Sequence, residues 1–512
     1  MNDKSIYSQF TQAKNGSLIP VLENGKTIES RYNPSRECQK TFELQITDKD
    51  HFVIVLGIAG GHLIEKITSE RKDIFIIGVE TCKEDISFLE QSDVIKKLQD
   101  NKNVLLCSKE ELEGVLLSKY IPAFYGGIKI IEQQAWAMEN AQVVAQLKDI
   151  IQKTLSLIAA DFSVQSHFGK LWMHNIMSNL LYMEKNNIGP GSMIVPPDKT
   201  AVIFAAGPTL DKSIKLILEH PDKYYLIATD TAYSILLSYG LVPDAVVSID
   251  GQYVSNTHFI HSADSCKSGS QTRFIFDISA SSSAVKKIDA SQNQICFFTS
   301  GHPFCSFLQA EYGLKLPYIN SGAGTVTICA LDYALKCGFS KILVMGADFS
   351  YVDGKPYARG TYLDRLYNAA SSRISNSTKT FSALEFRTPL INSGDNRFTT
   401  TVLQSYRTSF CDFLQSQNIK YVYKDDIYEL ANNNTKNTFD QVDSKSCSGI
   451  VQAVCKRFKE LLKTERKIDS INDLTNIDIS LLPLISWCRN NDNKDEGFYY
   501  YYKKALQYFE KF

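Results

Sequence analysis

The stretch AVIFAAGPTLD, residues 201–211, joins a short apolar run to the turn Gly207-Pro208-Thr209 and then to a helical pattern. A continuous apolar run of this length is typical of a strand that is buried on both faces of a sheet. Gly207 lets the backbone approach a ligand closely, Pro208 presets the turn, and Thr209 can cap the helix that follows. A helix start offers unpaired N–H groups and a partial positive charge, which favour a phosphate. An ordinary strand-to-helix turn explains the same residues equally well.

Strand and helix signals alternate through the central part of the chain. Apolar strands are predicted at residues 201–205, 225–228, 245–249, 273–277, 295–298 and 342–345, and amphipathic stretches such as 210–219 and 325–336 lie between them. This alternation predicts an α/β fold with a doubly wound, mostly parallel sheet of the Rossmann-like kind. Such sheets bind ligands beyond the carboxyl ends of their strands, where the chain order reverses.

A smaller β-α-β pattern precedes this region. Strands are predicted at residues 52–57, 74–79 and 103–107, with Gly57, Gly60 and Gly61 in the first turn and Glu80 after the second strand. A glycine-rich turn followed by an acid at this place is the arrangement that holds a nucleotide ribose. We therefore predict a smaller N-terminal Rossmann-like domain.

Changes in spacing and composition set the remaining boundaries. Apolar spacing is helical over residues 132–185, a segment rich in Gly and Pro follows at 187–199, and the chain beyond residue 423 becomes polar and then helical. The sequence predicts four segments: a Rossmann-like domain 1–130, a helical connector 131–195, a central α/β domain 196–430 and a helical C-terminal domain 431–512. The aromatic end of the last segment could be a docking surface, but more often such a helix packs on its own protein.

The composition argues against several classes of protein. Lys plus Arg total 55 and Asp plus Glu 56, so the formal charge of −1 gives no long-range field for nucleic acid or an anionic membrane. No apolar run reaches the roughly 18 residues that span a bilayer, and the start lacks a secretion signal, so we expect a cytoplasmic protein. The twelve cysteines include no Cys-x-x-Cys pair, and we expect buried reduced thiols such as Cys296, Cys329 and Cys337 without a metal.

Two acids follow neighbouring predicted strands of the central region. Asp230 comes directly after the second strand and Asp250 ends the third. A carboxylate at the first of these places can accept hydrogen bonds from ribose hydroxyls, and both should converge on one edge of the sheet. Helix or turn capping is the alternative role. We favour a functional one.

Two further segments could contact a ligand. Asn320-Ser321-Gly322 precedes an apolar helix and can offer N–H groups and hydroxyls to a phosphate or carboxylate. Asp348 follows the last strand, and Tyr351 and Tyr357 lie in the loop after it. These phenols could donate to a departing phosphate or could be half-buried packing residues.

The ordered set of these motifs resembles the motility accessory factor (Maf) proteins, which glycosylate flagellin. The motifs that carry the resemblance are Gly207-Pro208-Thr209-Leu210-Asp211, the acids after strands two and three, Ser321-Gly322, and Asp348 through Ala358. Over residues 195–425 the same pieces look like bacterial sialyltransferases that use CMP-activated sugars. The central domain of Maf proteins is also described as similar to 6-hydroxymethylpterin diphosphokinase of the MptE type.

The resemblance implies a sialyltransferase-like protein O-glycosyltransferase with a GT-A-like central domain, residues 196–430, that binds the nucleotide-sugar. It would move a nonulosonic acid of the pseudaminic or legionaminic type from a CMP-sugar to Ser or Thr of flagellin, a step needed for flagellum assembly and motility. By the same likeness Thr209, Ser321 and Gly322 would hold the phosphate and donor carboxylate, Tyr351 and Tyr357 would stabilise the departing phosphate, and no cofactor would be required.

The identity of the base is a departure from this likeness. In those sialyltransferases the base is a His that follows the loop matching Asp348 through Ala358, called here the tyrosine loop, but the last His of this chain is His302. Asp250 and Asp348 are therefore our candidates for the base.

Three other functions remain open from the sequence. Asp230, Asp250 and Asp348 could hold Mg²⁺ for diphosphoryl transfer from ATP to a pterin-like alcohol. The aromatic tail and the absent His fit a non-catalytic flagellin chaperone, and the glycine turn at Gly57 fits a methyltransferase.

Residues 362–401 are polar and contain four arginines, Arg365, Arg373, Arg387 and Arg397. This segment predicts either a lid over an anionic donor or a solvated insertion.

Overall fold

A computed structural model describes residues 4–259, 271–322, 324–394, 396–439, 448–464, 466, 468, 470–492, 494 and 496–512. The chain forms two compact units. Unit 1 comprises Met1–Lys170 and Cys455–Phe512, and unit 2 comprises Leu171–Val454. The four predicted segments remain a prediction of domain boundaries.

Unit 1 begins with a hairpin and continues as a parallel sheet. Its strands are β1 (Tyr7–Gln12), β2 (Leu18–Leu22), β3 (Phe52–Leu56), β4 (Phe75–Glu80), β5 (Val104–Ser108) and β6 (Lys129–Glu132). The last four form one parallel sheet in the order β5-β4-β3-β6. Every residue of β3 and β4 is buried, which explains why both are continuous apolar runs.

Helices alternate with these strands along the chain. They are α1 (Pro34–Gln45), α2 (His62–Glu70), α3 (Lys83–Leu89), α4 (Asp93–Gln99), α5 (Leu112–Lys119), α6 (Pro122–Tyr125) and α7 (Gln134–Glu139). The next helix, α8 (Ala141–Lys185), has 45 residues, and the boundary between the two units falls within it. The predicted helical spacing over residues 132–185 is confirmed.

Unit 2 contains an eight-stranded sheet and a small three-stranded one. The strands in chain order are β7 (Thr200–Phe204), β8 (Tyr224–Thr229), β9 (Ala245–Ser248), β10 (Arg273–Asp277), β11 (Gln294–Phe298), β12 (Lys341–Met345), β13 (Tyr351–Val352), β14 (Ile391–Asn392), β15 (Arg397–Thr399), β16 (Lys420–Lys424) and β17 (Ile427–Ala431). The large sheet has the order β11-β10-β9-β8-β7-β12-β17-β16, and it is parallel from β11 to β12. The predicted doubly wound α/β fold is confirmed. The chain order reverses between β7 and β12.

The helices of unit 2 are α9 (Leu210–Ser213), α10 (Lys215–Leu218), α11 (Asp230–Ser238), α12 (Ser282–Val285), α13 (Pro303–Tyr312), α14 (Val326–Cys337), α15 (Tyr362–Ala369), α16 (Ser377–Glu385) and α17 (Thr401–Ser416). Almost all of α14 is buried, and it packs on β7, β8 and β9. Its side chains share one core with Phe410, Phe413 and Leu414 of α17. This core packs α14 and α17 against the large sheet.

Two segments of unit 2 contain more secondary structure, or shorter helices, than expected. Residues 362–401, predicted as a lid or a solvated insertion, form α15, α16, the outer strand β14 and the central strand β15 of the sheet β13-β15-β14. Thr361 and Asn376 cap the two helices by accepting hydrogen bonds from Asp364 N and Lys379 N. The single helix expected over 210–219 is two short ones, α9 and α10.

The C-terminal part is helical, as predicted, with α18 (Ile450–Lys463), α19 (Asn476–Ser480), α20 (Leu482–Asn490) and α21 (Phe498–Gln507). Phe498, Tyr501 and Tyr502 are buried, and the Phe498 ring lies 4.4 Å from that of Phe124 within unit 1. The aromatic tail is therefore internal packing rather than an open docking surface. None of the described cysteines forms a disulfide, and all of them but Cys411 are buried. No helix in the described ranges is long and apolar enough to cross a membrane.

Candidate functional site

The carboxyl edge of the parallel strands of unit 2 gathers most of the predicted site residues. Gly207 and Thr209 follow β7, Asp230 follows β8, Asp250 follows β9, and Asp348 follows β12. The chain order reverses between β7 and β12, and doubly wound sheets bind ligands beside such a reversal. The Gly207 turn lies on the β7 side of this reversal, and Asp348 lies on the β12 side.

The backbone N–H groups of the Gly207 turn, expected to be unpaired, have hydrogen-bond partners in the chain. Thr209 donates its backbone N–H to Asp348 Oδ2 at 2.9 Å, and its hydroxyl also donates to Asp348. The N–H groups of Gly207, Leu210 and Asp211 donate to carbonyls of Gly346, Gly207 and Pro208. The expected set of unpaired amides is therefore absent at these residues, and Thr209 binds Asp348 instead of capping α9.

Gly207 is needed for packing between two turns. A Cβ atom at this position would lie 2.5 Å from Asp348 Oδ2 and 2.5 Å from the Gly346 carbonyl oxygen. No side chain fits at such distances. A glycine at position 207 thus lets the turns after β7 and β12 meet. The sequence had suggested another reason for this glycine, the close approach of a ligand.

Asp348 is a buried acid with several partners. Burial raises its pKa, although the two hydrogen bonds from Thr209 and the charge of Arg397 favour the ionised form. Arg397 forms an ion pair with Asp426 at 2.5 Å, and Tyr423 donates to the same carboxylate at 3.1 Å. Arg397, one of the arginines expected in a lid, is therefore held by an acid of its own chain.

Asp230 and Asp250 lie close enough to influence each other. Burial raises the pKa of Asp250, the charge of Asp230 raises it further, and His258 opposes the rise. Asp230 is only 4% exposed and accepts hydrogen bonds from Ser248 Oγ at 2.8 Å and Thr231 N at 2.7 Å. Asp250 is less buried and accepts one from Gln252 N at 2.9 Å. The predicted convergence is present, and Asp250 is the more accessible of the two.

The tyrosine loop lies against the Gly207 turn. Ala358 N donates to the Ala206 carbonyl at 2.9 Å, and Arg359 N donates to Asp211 Oδ1 at 3.0 Å. Tyr357 is 37% exposed, and burial of its hydroxyl together with neighbouring phenols and Asp230 raises its pKa. The pKa of Tyr351 is raised by burial and by Glu385. Both phenols therefore stay protonated at neutral pH and can donate hydrogen bonds.

The turn before α14 uses several of its own donors. Asn320 N donates to Asp332 Oδ2 at 2.7 Å, and Gly322 N donates to Asn320 Oδ1 at 2.7 Å. The N–H groups of Gly324 and Thr325 donate to the Ser321 carbonyl, and Thr325 caps α14. Ala323 lies outside the described residues. Asn320, Ser321 and Gly322 remain accessible at the start of this helix, but their amides are less available to a ligand than expected.

His258 is a site residue that the sequence analysis missed. It is 8% exposed, its Nδ1 has no hydrogen-bond partner within the described part of the chain, and its charge acts on Asp250. Its ring meets that of Tyr362 edge-on at 4.9 Å. The base candidates predicted from the sequence were two carboxylates, Asp250 and Asp348, and no His was among them. A His shortly after Asp250 in the sequence was the available signal.

The glycine turn of unit 1 is filled by the chain's own carboxylates. Glu80 is fully buried and accepts hydrogen bonds from Ile58 N at 2.7 Å, Ala59 N at 3.1 Å and Trp136 Nε1 at 2.9 Å. Gly60 N donates to Glu29 at 3.2 Å. The acid and the amides of this turn already bind groups of the chain, which argues against the predicted nucleotide contact of Glu80 and against the methyltransferase interpretation.

Within the part of the chain that the structure describes, no group of three or more His, Cys, Asp or Glu is placed to hold a metal ion. The three acids Asp230, Asp250 and Asp348 each accept hydrogen bonds from protein groups, as given above.

The family model that matches the chain is "6-hydroxymethylpterin diphosphokinase MptE-like", over residues 173–354. Three proteins of Treponema pallidum (strain Nichols), each described as uncharacterized, are similar in sequence. One is 37% identical over 142 residues, covering 28% of this chain and 67% of that protein. Another is 37% identical over 148 residues, covering 28% of this chain and 52% of that protein. A third is 28% identical over 215 residues, covering 40% of this chain and 35% of that protein.

One solved structure is similar over almost the whole chain. It is that of the MAf glycosyltransferase from Magnetospirillum magneticum AMB-1. The match covers 99% of this chain and 86% of that chain, with a TM-score of 0.50 and 11% sequence identity. At this identity the likeness concerns the fold.

Proposed function

The chain belongs to one family with the first of these Treponema pallidum proteins and has the Maf glycosyltransferase fold, and we propose that it is itself a protein O-glycosyltransferase. Its donor would be a CMP-activated nonulosonic acid of the pseudaminic or legionaminic type. The acceptor would be Ser or Thr of flagellin, and the modified filament would serve flagellum assembly and motility. The reaction would take place in the cytoplasm.

One observation carries the proposal. The loop with Tyr351 and Tyr357 is bonded to the turn after β7 through Ala358 N and Ala206 O, beside Asp230 and Asp250, at the point where the sheet reverses its order. Phenols that can donate to a phosphate and carboxylates that can bind a sugar or accept a proton thus share one edge. Sugar transfer from a nucleotide-sugar needs a hydrogen-bond donor to the departing phosphate and an acceptor for the proton of the attacking hydroxyl, and these residues can supply both.

The proposed step can be assigned to residues. The acceptor oxygen forms a bond to the anomeric carbon of the sugar while the bond from that carbon to the phosphate oxygen breaks, and CMP departs. Tyr351 and Tyr357 donate hydrogen bonds to the departing phosphate. Asp250 takes the proton of the acceptor hydroxyl, because its raised pKa makes it a better proton acceptor and because Asp348 is already held by Thr209.

The test uses the purified full chain, a CMP-nonulosonic acid and recombinant flagellin, with the intact mass of flagellin as the readout. We expect mass increments of one sugar residue and an Asp250→Asn variant that transfers about 100-fold more slowly. Asp353→Asn is the matched control, since Asp353 is exposed and its positive φ of 52° suits Asn. Flagellin that binds the protein without a change of mass would favour a chaperone and contradict transfer.

The match to the pterin diphosphokinase model favours a second candidate. In that case the chain would transfer a diphosphoryl group from ATP to the hydroxyl of a pterin-like alcohol, with Mg²⁺ and release of AMP. Incubation with ATP, Mg²⁺ and 6-hydroxymethylpterin, with and without EDTA, distinguishes the two. AMP formation that EDTA abolishes would support the diphosphokinase, whereas sugar transfer that persists in EDTA would support the glycosyltransferase.

A further inference from the structure

Two buried asparagines of α8 bind the loops at the carboxyl edge of unit 2. Asn175 is 3% exposed, and its side-chain amide donates to the carbonyl oxygens of Gly251 at 2.9 Å and Ser279 at 3.0 Å. Asn179 is fully buried, and its amide donates to the carbonyls of Ile278 and Ala280, both at 2.9 Å. Each asparagine thus satisfies two loop carbonyls.

These asparagines stand where apolar residues would otherwise be expected. Met173, Ile176 and Leu180 around them on α8 are all fully buried. A buried amide destabilises a protein unless it is hydrogen-bonded, so an apolar residue would serve simple packing better. Positions 175 and 179 are four apart and lie on one face of the helix. Both asparagines hold the irregular backbone of the loops through their side-chain amides.

The two asparagines differ in what they hold. Among the described residues, the Asn179 amide donates to two carbonyls of the loop after β10, whereas the Asn175 amide joins that loop to Gly251, the residue next to Asp250. The same pair of loops is joined by Ser281 N, which donates to the Asp250 carbonyl at 2.9 Å. A Cβ at Gly251 would lie 3.3 Å from Asn175 Nδ2 and 3.3 Å from the Ser279 carbonyl, so the contact is tight.

We propose that Asn175 is a positioning residue of the candidate site, which fixes the backbone that carries Asp250 through the Gly251 carbonyl. This rests on the proposed function, in which Asp250 accepts the proton of the acceptor. Loss of the amide would let the loop after β9 move, and a displacement of about 1 Å at a catalytic group lowers a rate by roughly 100-fold. Nucleotide affinity depends on other contacts and changes little.

The experiment compares Asn175→Leu with Asn179→Leu. Both substitutions keep the approximate side-chain shape, remove two hydrogen bonds and lie on one helix, so their effects on the thermal midpoint should be similar. Hydrogen exchange, measured by mass spectrometry, should increase at residues 250–255 and 278–281 in Asn175→Leu but only at 278–281 in Asn179→Leu. In the transfer assay only Asn175→Leu should lower kcat, by about 10- to 100-fold, with the donor KM nearly unchanged.

Equal exchange at residues 250–255 in the two variants, or an equal fall in kcat, would overturn the proposal and leave a purely structural role. If the wild-type chain transfers no sugar, the proposed function fails, but the exchange measurement still decides whether Asn175 fixes the Asp250 loop. Asn175→Ala is the second variant if Asn175→Leu does not fold. It leaves room for a water molecule between the two carbonyls, and we expect the same pattern with smaller changes.

Discussion

Asp348 accepts hydrogen bonds from both the backbone N–H and the hydroxyl of Thr209, although the two residues are 139 positions apart in the chain. The pair joins the turns after β7 and β12 across the reversal of the strand order. Thr209 is 3% and Asp348 9% exposed, so neither can exchange its partner for water without local opening. The pair therefore holds the two sides of the candidate site together.

Removal of the Thr209 hydroxyl should destabilise unit 2. Thr209→Val keeps the side-chain shape but leaves one oxygen of Asp348 without its donor, which should lower the free energy of unfolding by about 1–3 kcal/mol. Thr209→Ser keeps the hydroxyl and is the control, with a much smaller effect. Urea unfolding of the two variants measures the difference. Equal stability of Thr209→Val and Thr209→Ser would show that the hydroxyl bond contributes little.

Gly207→Ala should lower both stability and nucleotide affinity, because the added Cβ overlaps Asp348 and the Gly346 carbonyl. Overpacking of this kind destabilises by about 1–3 kcal/mol. Gly114→Ala is the matched control, since nothing lies within 4 Å of its Cβ position and the residue is in α5, where Ala is favoured. Thermal unfolding with and without CMP separates the two effects. Wild-type stability in Gly207→Ala would contradict the packing described for this turn.

Tyr357→Phe should lower kcat by about 100-fold with little change in the donor KM, because the phenol donates most strongly to the charge that develops on the departing phosphate. The raised pKa of Tyr357 means that ionisation of this group should not lower the rate at mildly alkaline pH. Tyr421→Phe on β16 is the control, since that side chain is 43% exposed on the edge strand. Steady-state kinetics of sugar transfer provide the measurement. An equal kcat for the two variants would remove Tyr357 from the site.

The sheet of unit 2 could be predicted from sequence because its central strands are buried on both faces. Such strands are short apolar runs, and the polar residue that ends each run marks the carboxyl edge. That local signal placed Asp230, Asp250 and Asp348 at one edge, where the structure also has them. The hairpin β16–β17 was missed because its turn, Asp425-Asp426, contains no Gly. Both residues nevertheless have positive φ, 52° and 63°, as two-residue hairpin turns require.

The bonding within the site could not be predicted, because it depends on pairs that are distant in the chain. Nothing in the sequence near Thr209 reveals that its amide and hydroxyl bind Asp348. The same holds for Glu80, whose position after a strand matches a ribose-binding acid although Tyr7, Ile58 and Trp136 enclose it. Position along the chain predicted where an acid lies. Only tertiary structure reveals what it binds.

The enclosure of Glu80 has a consequence for the pH dependence of stability. Burial and the nearby Asp85 raise its pKa from 4.5 to about 7, despite hydrogen bonds from Ala59, Tyr7 and Ile58 that favour the charged form. A raised pKa in the folded state means that Glu80 contributes stability below pH 4.5 and loses it as the pH rises through about 7. Unit 1 should therefore become less stable as the pH rises across this window.

Glu80→Gln tests this directly. The Gln amide must face at least one of the N–H donors, so the variant should be less stable than the wild type, but it carries no titrating group. The gap in thermal midpoint between wild type and Glu80→Gln should therefore narrow as the pH rises from about 5 to about 8. Glu111→Gln is the control. Hydrogen bonds from Lys83 and Ser108 lower the pKa of Glu111 below 4.5, so the difference in thermal midpoint between wild type and Glu111→Gln should stay constant over this pH range. If the difference for Glu80→Gln is constant as well, Glu80 is ionised in the folded protein throughout this range, and its four hydrogen-bond donors outweigh its burial.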